Sequence, residues 1–96
     1  MSPVVLSREA DRDIDGILQY SIARHGQTTG EGYVHAINGV LDRLSVYPEI
    51  GNARDDLAPG LRSFPSGQHR IFYRVEPDRL LIVRVLHKAM DVALHL

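Results

Sequence analysis

The stretch from Leu61 to Asp91, LRSFPSGQHRIFYRVEPDRLLIVRVLHKAMD, leaves this chain few folds to choose from. In HRIFYRV, His69, Ile71, Tyr73 and Val75 alternate with Arg70, Phe72 and Arg74. That period of two, built from β-branched and aromatic residues, predicts a strand with the first set on one face and the second on the other. Glu76-Pro77-Asp78-Arg79 predicts a turn, with proline presetting φ and aspartate able to bond its own backbone. The chain returns as LLIVRVLH, apolar on both faces apart from Arg84 and His87, which predicts a central strand covered wholly or partly on both sides. Leu61-Arg62-Ser63-Phe64 predicts a further strand, and Pro65-Ser66-Gly67 the turn that joins it to this hairpin.

Upstream the period changes. Pro3-Val4-Val5-Leu6 is a short apolar run suited to a first strand, and Ser7 follows as an N-cap with Glu9 and Asp11 in the first turn, where the helix dipole favours anions. Ala10, Ile14, Ile17, Leu18 and Ile22 recur at helical spacing, with Asp11, Arg12, Asp15 and Gln19 on the wet side, and His25-Gly26 ends the helix. Thr28 and Glu31 have the spacing of a capping box and predict the start of a second helix. Its buried stripe is Tyr33, Ile37, Val40, Leu41 and Leu44, and it stops near Tyr47-Pro48. Gly30, Gly32 and Gly39 weaken it, so it depends on packing more than on propensity. Two adjacent amphipathic helices with a short link predict an αα-hairpin. Glu49 to Gly60, EIGNARDDLAPG, reads as a loop, and the tail after His87 as a last helical turn or an extended segment. The expected architecture is α+β, in the order β-α-α-β-β-β, with an antiparallel-rich sheet packed against the αα-hairpin.

The 96 residues suffice for one domain with a single modest core, residues 1–96. No run is long and apolar enough to span a bilayer, and MSPVVLSREAD lacks the basic start and apolar middle of a signal peptide. Cysteine is absent, which excludes disulfides, thiolate chemistry and Cys-based zinc sites and fits a reducing compartment. A cytoplasmic protein with no membrane association is expected. The net charge of -1 hides an asymmetry, since about five basic and nine acidic side chains precede Leu61. From Leu61 to Met90 there are roughly six basic residues (Arg62, Arg70, Arg74, Arg79, Arg84 and Lys88) and two acidic ones. A locally basic sheet suits nucleic acid or an acidic protein segment. The same arginines equally suit an exposed sheet that must stay soluble.

The spacings G-x-H-x-I-F-Y-R in SGQHRIFYRV and V-L-H-x-x-M-D in VLHKAMD, taken together, resemble the ParE branch of the RelE/ParE superfamily of bacterial toxins. The similarity extends over nearly the whole chain, with LSREADRDIDGILQYS resembling the family's first helix and YPEIGNARDDLAPGLRSF the segment leading into its sheet. His25 in SIARHG stands where relatives often carry tryptophan, a departure that bears on packing at the helical elbow. The resemblance implies a RelE/ParE-like fold and the toxin of a type II toxin–antitoxin system. It implies a partner, a ParD-like antitoxin that wraps the toxin in a heterotetramer or higher complex, and a target, DNA gyrase, blocked after strand cleavage. DNA contact would be indirect, through antitoxin or gyrase. The RelE branch implies the alternative, ribosome-dependent mRNA cleavage. A degenerate antitoxin-binding module without toxicity is a third reading.

RNA cleavage through the 2′-hydroxyl needs a base, an acid and cations at the phosphate. Arg70, Arg84, His87 and Lys88 offer charge, and His87 or His69 proton transfer, but KAMDVALHL contains no tyrosine of the kind RelE-type enzymes commonly use. Tyr73 shares a face with Ile71 and Val75 and is expected in the core with its hydroxyl at an edge. His25, His35, His69, His87 and His95 show no metal-binding helical spacing, so neither metal nor cofactor is expected. His87 reads as a strand-end residue bonding backbone or Asp91, Asp91 as a cap of the terminal turn, and Arg62 and Arg74 as partners of Asp55 or Asp56. An inhibitor with no catalytic residues is the expected class. Leu18, Ile22, Tyr33 and Ile37 are its candidates for a helical groove, and Arg70, Arg74, Arg84, His87 and Lys88 for contacts with antitoxin or target.

Overall fold

The computed structural model describes residues 2–96. Its elements are strand β1 (Val4–Leu6), helices α1 (Arg8–His25) and α2 (Gln27–Val46), and strands β2 (Asn52–Ala53), β3 (Leu61–Ser66), β4 (His69–Val75) and β5 (Leu80–His87). A single 3₁₀ turn, Val92–Leu94, follows. The five strands form one sheet in the order β1-β5-β4-β3-β2, antiparallel except for the parallel β1–β5 pair. This is the α+β arrangement the sequence predicts.

Alternation in HRIFYRV divides the core in two. Ile71 and Tyr73 face the helices and pack with Leu80, Ile82 and Val85 of β5 against Ala10, Ile37, Leu41 and Leu44. Phe72 faces the other way, with Leu61 and Leu86, under Leu57, Ala58, Val83 and Val92. The outer face is thus covered in part by the loop before β3 and by the tail, and β5 is buried on both faces as its apolar run requires. Opposite Phe72 and Tyr73 the register of β5 slips by one residue, Phe72 pairing with Arg84 and Tyr73 with Ile82. That bulge turns Arg84 out of strict alternation.

Ser7 caps α1 as expected, its hydroxyl accepting from the Ala10 amide at 2.9 Å. The same hydroxyl donates to the Val83 carbonyl at 2.7 Å, tying the start of the helix to the bulge. Gly26 alone links the two helices, at φ 92°. It lets α2 start at Gln27, one residue ahead of the expected Thr28 cap, and no side chain caps that end. The helices dock closely just beyond it: a Cβ on Gly30 would stand 2.7 Å from the Ile22 backbone nitrogen.

Two further boundaries differ from expectation. Pro65 and Ser66 belong to β3, and the turn is Gly67-Gln68. Beyond Ser63 strand β3 has no β2 residue beside it, so Pro65 sits on an open edge where a missing N–H is tolerated. Gly67, at φ 57°, takes the first central position of this two-residue turn, where a side chain would be strained. Within the expected loop, Asn52 and Ala53 pair with Ser63 and Arg62 as a minimal edge strand. The Glu76–Arg79 turn forms as read, the Glu76 amide donating to the Arg79 carbonyl at 2.9 Å. Among the described residues no helix is long and apolar enough to cross a membrane.

Candidate functional site

Two cavities meet where α1 faces the start of β4 and the end of β5. The larger, about 370 Å³, has apolar walls from Ile17, Tyr20, Leu86 and Met90, with Arg12 and Asp13 also lining it. The smaller, about 150 Å³, lies towards the helical elbow between Ser21, His25, Thr29, Tyr33 and Gln68. Tyr20, His69 and His87 line both. Tyr20 is 63% exposed, and the Arg24 guanidinium stands 5.7 Å from its ring centre. A large aromatic held at the surface by a cation is suited to contact with another protein.

His69 and His87 are directly opposed on β4 and β5, their rings meeting edge to face with centroids 5.3 Å apart. The Tyr33 hydroxyl reaches His69 Nδ1 at 2.6 Å and accepts from the Gln68 amide at 2.9 Å. Burial, then the neighbouring His87, pushes the His69 imidazole below its ordinary value, against the opposing pull of Asp13. His87 is exposed, and its Nδ1 accepts from the Ala89 amide at 3.1 Å. That is the backbone contact expected of it, without Asp91. Asp91 caps the terminal turn, accepting from the Ala93 amide at 3.1 Å.

The basic residues named from sequence have different fates. Arg84 is not a free cation: it forms a two-pronged pair with Asp13, at 2.8 and 2.9 Å, and also donates to the His95 carbonyl. The pairing with Asp13 holds its guanidinium above the ordinary arginine value. Arg62 and Arg74 do not pair with Asp55 or Asp56. Arg62 donates to the carbonyls of Glu49 and Gly51, and Arg74 to that of Pro59. Asp56 is taken by Arg54, and Asp55 accepts from the Gly60 amide. The loop's own backbone brings acceptors closer to those arginines than its carboxylates do. Arg70 is half-buried and donates to the buried Ser63 hydroxyl at 3.0 Å. Lys88 is exposed.

Of the groove candidates, Ile37 is 1% exposed and belongs to the core, out of reach of a partner. Leu18, Ile22 and Tyr33 are half-buried, and Tyr33 lines the smaller cavity beside the helical elbow. Tyr73 is core, as expected, its hydroxyl donating to the Pro48 carbonyl and accepting from the Gly51 amide. The sequence reading missed Tyr20, Met90 and Arg12. Tyr20 falls between the wet and dry faces of α1, and only its 63% exposure marks it. The seam can accept an apolar side chain between cationic and imidazole groups. Of the arginines named for phosphate contact, Arg84 is paired with Asp13 and Arg70 donates to Ser63.

The chain matches, over residues 4–92, the family described as ParE toxin of the type II toxin-antitoxin system, parDE. It is 36% identical to Toxin ParE1 of Caulobacter vibrioides over 96 residues, covering all of this chain and 99% of that protein. It is also 36% identical to Toxin ParE1 of Mycobacterium tuberculosis over 92 residues, 95% of this chain and 94% of that one. Among solved structures, the fold is similar to a chain of the chromosomal ParDE system from P. aeruginosa, with TM-score 0.79 and 21% identity over 91% of this chain and 96% of that chain. The toxin–antitoxin complex RelBE2 of Mycobacterium tuberculosis contains a chain similar at TM-score 0.59 and 24% identity, over 91% and 98% respectively. The chain therefore belongs to the ParE family of toxins of type II toxin–antitoxin systems.

Proposed function

We propose that this ParE-family chain inhibits DNA gyrase as a cytoplasmic protein without an active site of its own, and that a ParD-like antitoxin neutralises it. The observation that carries this reading is end-to-end similarity to Toxin ParE1 of Caulobacter vibrioides, 36% over 96 residues. The similarity to a chain of a ParDE system supports the choice of antitoxin. In this reading the antitoxin lies along the seam beside Leu18, Tyr20, Ile22 and Tyr33, a segment of it ordering on binding. The pair assembles as a heterotetramer or higher complex through the antitoxin. Arg70, Arg74, His87 and Lys88 meet the antitoxin or the target, while Arg84 acts inside the fold.

Induced expression in bacteria with and without an antitoxin supplied in trans tests the toxin–antitoxin half of the proposal. Growth arrest with broken chromosomal DNA, relieved by the antitoxin, is expected. Normal growth in the absence of antitoxin would favour a module that has kept its fold and lost its toxicity. A second reading, mRNA cleavage, draws on the fold's likeness to a chain of the RelBE2 complex and on the adjacent His69 and His87 rings. It is weaker, since Arg84 is held by Asp13 and no tyrosine follows His87.

A further inference from the structure

We propose that His69 and His87 are a proton-sensitive latch, in which proton uptake by His69 releases the β3–β4 turn from α2 and opens the smaller cavity. The inference concerns the chain's own conformation and stands whether or not gyrase is the target.

Hydrogen-bond accounting around Tyr33 carries it. A phenol has one proton to donate. The Tyr33 oxygen already accepts from the Gln68 amide at 2.9 Å, so its proton goes either to His69 Nδ1 at 2.6 Å or to the Ser66 carbonyl at 3.4 Å. We assign it to the shorter contact, that with His69, which leaves Nδ1 bare and puts the hydrogen on Nε2. A neutral His69 thereby completes a clamp on the turn. The fit is close, since a Cβ on Gly67 would lie 2.8 Å from the Tyr33 hydroxyl.

Protonating His69 puts a hydrogen on Nδ1 and reverses that bond. The Tyr33 oxygen must then accept from both His69 and Gln68, while its proton turns to Ser66 at 3.4 Å, a poor hydrogen-bond length. The Gln68 amide is the bond that weakens, because the charged imidazolium is the stronger donor to the shared oxygen.

The surroundings set the conditions for proton uptake. On α1, Arg12, Asp13, Tyr20 and His25 border the two cavities that the histidines share, and α2 contributes Tyr33. Asp13 favours a charged His69, but its carboxylate is already paired with Arg84. On β5, His87 opposes it at 5.3 Å, so two charged rings disfavour each other. Lys88 follows His87 in the chain and Arg70 follows His69. A latch of this kind closes at neutral pH and opens on acidification, with His87 setting how far the pH must fall.

The chain made by cell-free synthesis allows a direct test by NMR from pH 7.5 downwards. The His69 Cε1 proton reports its charge, and the protection factor of the Gln68 amide, corrected for intrinsic exchange, reports the clamp. We expect Gln68 protection to fall about tenfold, with a midpoint matching the His69 titration, while the Ile82 amide stays protected. In His87→Asn both midpoints move together to higher pH, because one positive neighbour is gone. In Tyr33→Phe the Gln68 amide is weakly protected at every pH and shows no step. Gln68 protection that stays level while His69 takes its proton would overturn the latch. Unchanged midpoints in His87→Asn would remove His87 from it.

Discussion

Truncating Asp13 should damage this protein more than truncating the arginine it holds. Asp13 accepts from both arms of Arg84 and from the Val85 amide at 3.0 Å, on the stretch of β5 that β1 does not reach. Asp13→Ala strands a part-buried guanidinium and an unpaired edge amide, a loss of about 3 kcal/mol on the scale of broken buried pairs. Arg84→Met leaves Asp13 its backbone donor and should cost about 1 kcal/mol less, the worth of one retained hydrogen bond. Urea unfolding of both variants measures the difference, and equal losses would mean that the Val85 bond contributes nothing. Nothing in LLIVRVLH announced this role. An arginine in an apolar strand reads equally as an exposed cation or as half of a pair, and its partner lies 71 residues away. Tyr73 was legible because alternation alone places it inside, although its acceptor, the Pro48 carbonyl, lies in an irregular segment. The depressed His69 adds a pH dependence. An unfolded His69 takes up protons near its ordinary 6.5, whereas the folded one resists, so stability is fully present above that pH and is lost as pH falls through the lower folded value. The urea midpoint should therefore drop on acidification, and by less in His69→Gln.

At the scale of elements, two glycines of α2 separate propensity from packing. A methyl group added at Gly39 would meet nothing within 4 Å, so Gly39→Ala should stabilise the protein by about 0.5–1 kcal/mol through helix propensity alone. Gly30→Ala carries the same propensity gain, but its methyl would meet Ile22 Cγ1 and backbone nitrogen at 2.7 Å. It should destabilise by about 1–3 kcal/mol, the range for overpacked sites, and spread the helical elbow. Thermal unfolding checks both, and a stabilising Gly30→Ala would contradict the close docking of α1 on α2. The same distinction explains which boundaries the sequence revealed. Ser7 is a local cap bonded three residues away, and its pattern is visible in the sequence. Thr28 has the right spacing for a cap yet lies inside α2, because Gly26 and the contact at Gly30 already determine where the helix turns in. The pairing of Asn52 and Ala53 depends on β3 being beside them, and a two-residue strand has no periodicity to read.

For the whole molecule, the fold class followed from the change of period between residues 8–46 and 61–87, with helical spacing first and alternation after it. The parallel placement of β1 beside β5 was not legible, because three residues carry no register and their partner is 76 positions on. The site was less legible than the fold. Family motifs such as HRIFYR and VLHKAMD serve the two cores and the histidine pair, so their residues double as fold determinants. The proposed docking face instead depends on Tyr20 and Met90, which line one cavity only when α1 is laid against the end of the sheet. Purified chain released from its antitoxin tests inhibition of gyrase in two parallel reactions. One contains gyrase, ATP and relaxed plasmid; the other contains translating ribosomes and a defined mRNA. Lost supercoiling with linear, protein-linked plasmid and intact mRNA is the predicted result. Cut mRNA beside normal supercoiling would contradict it.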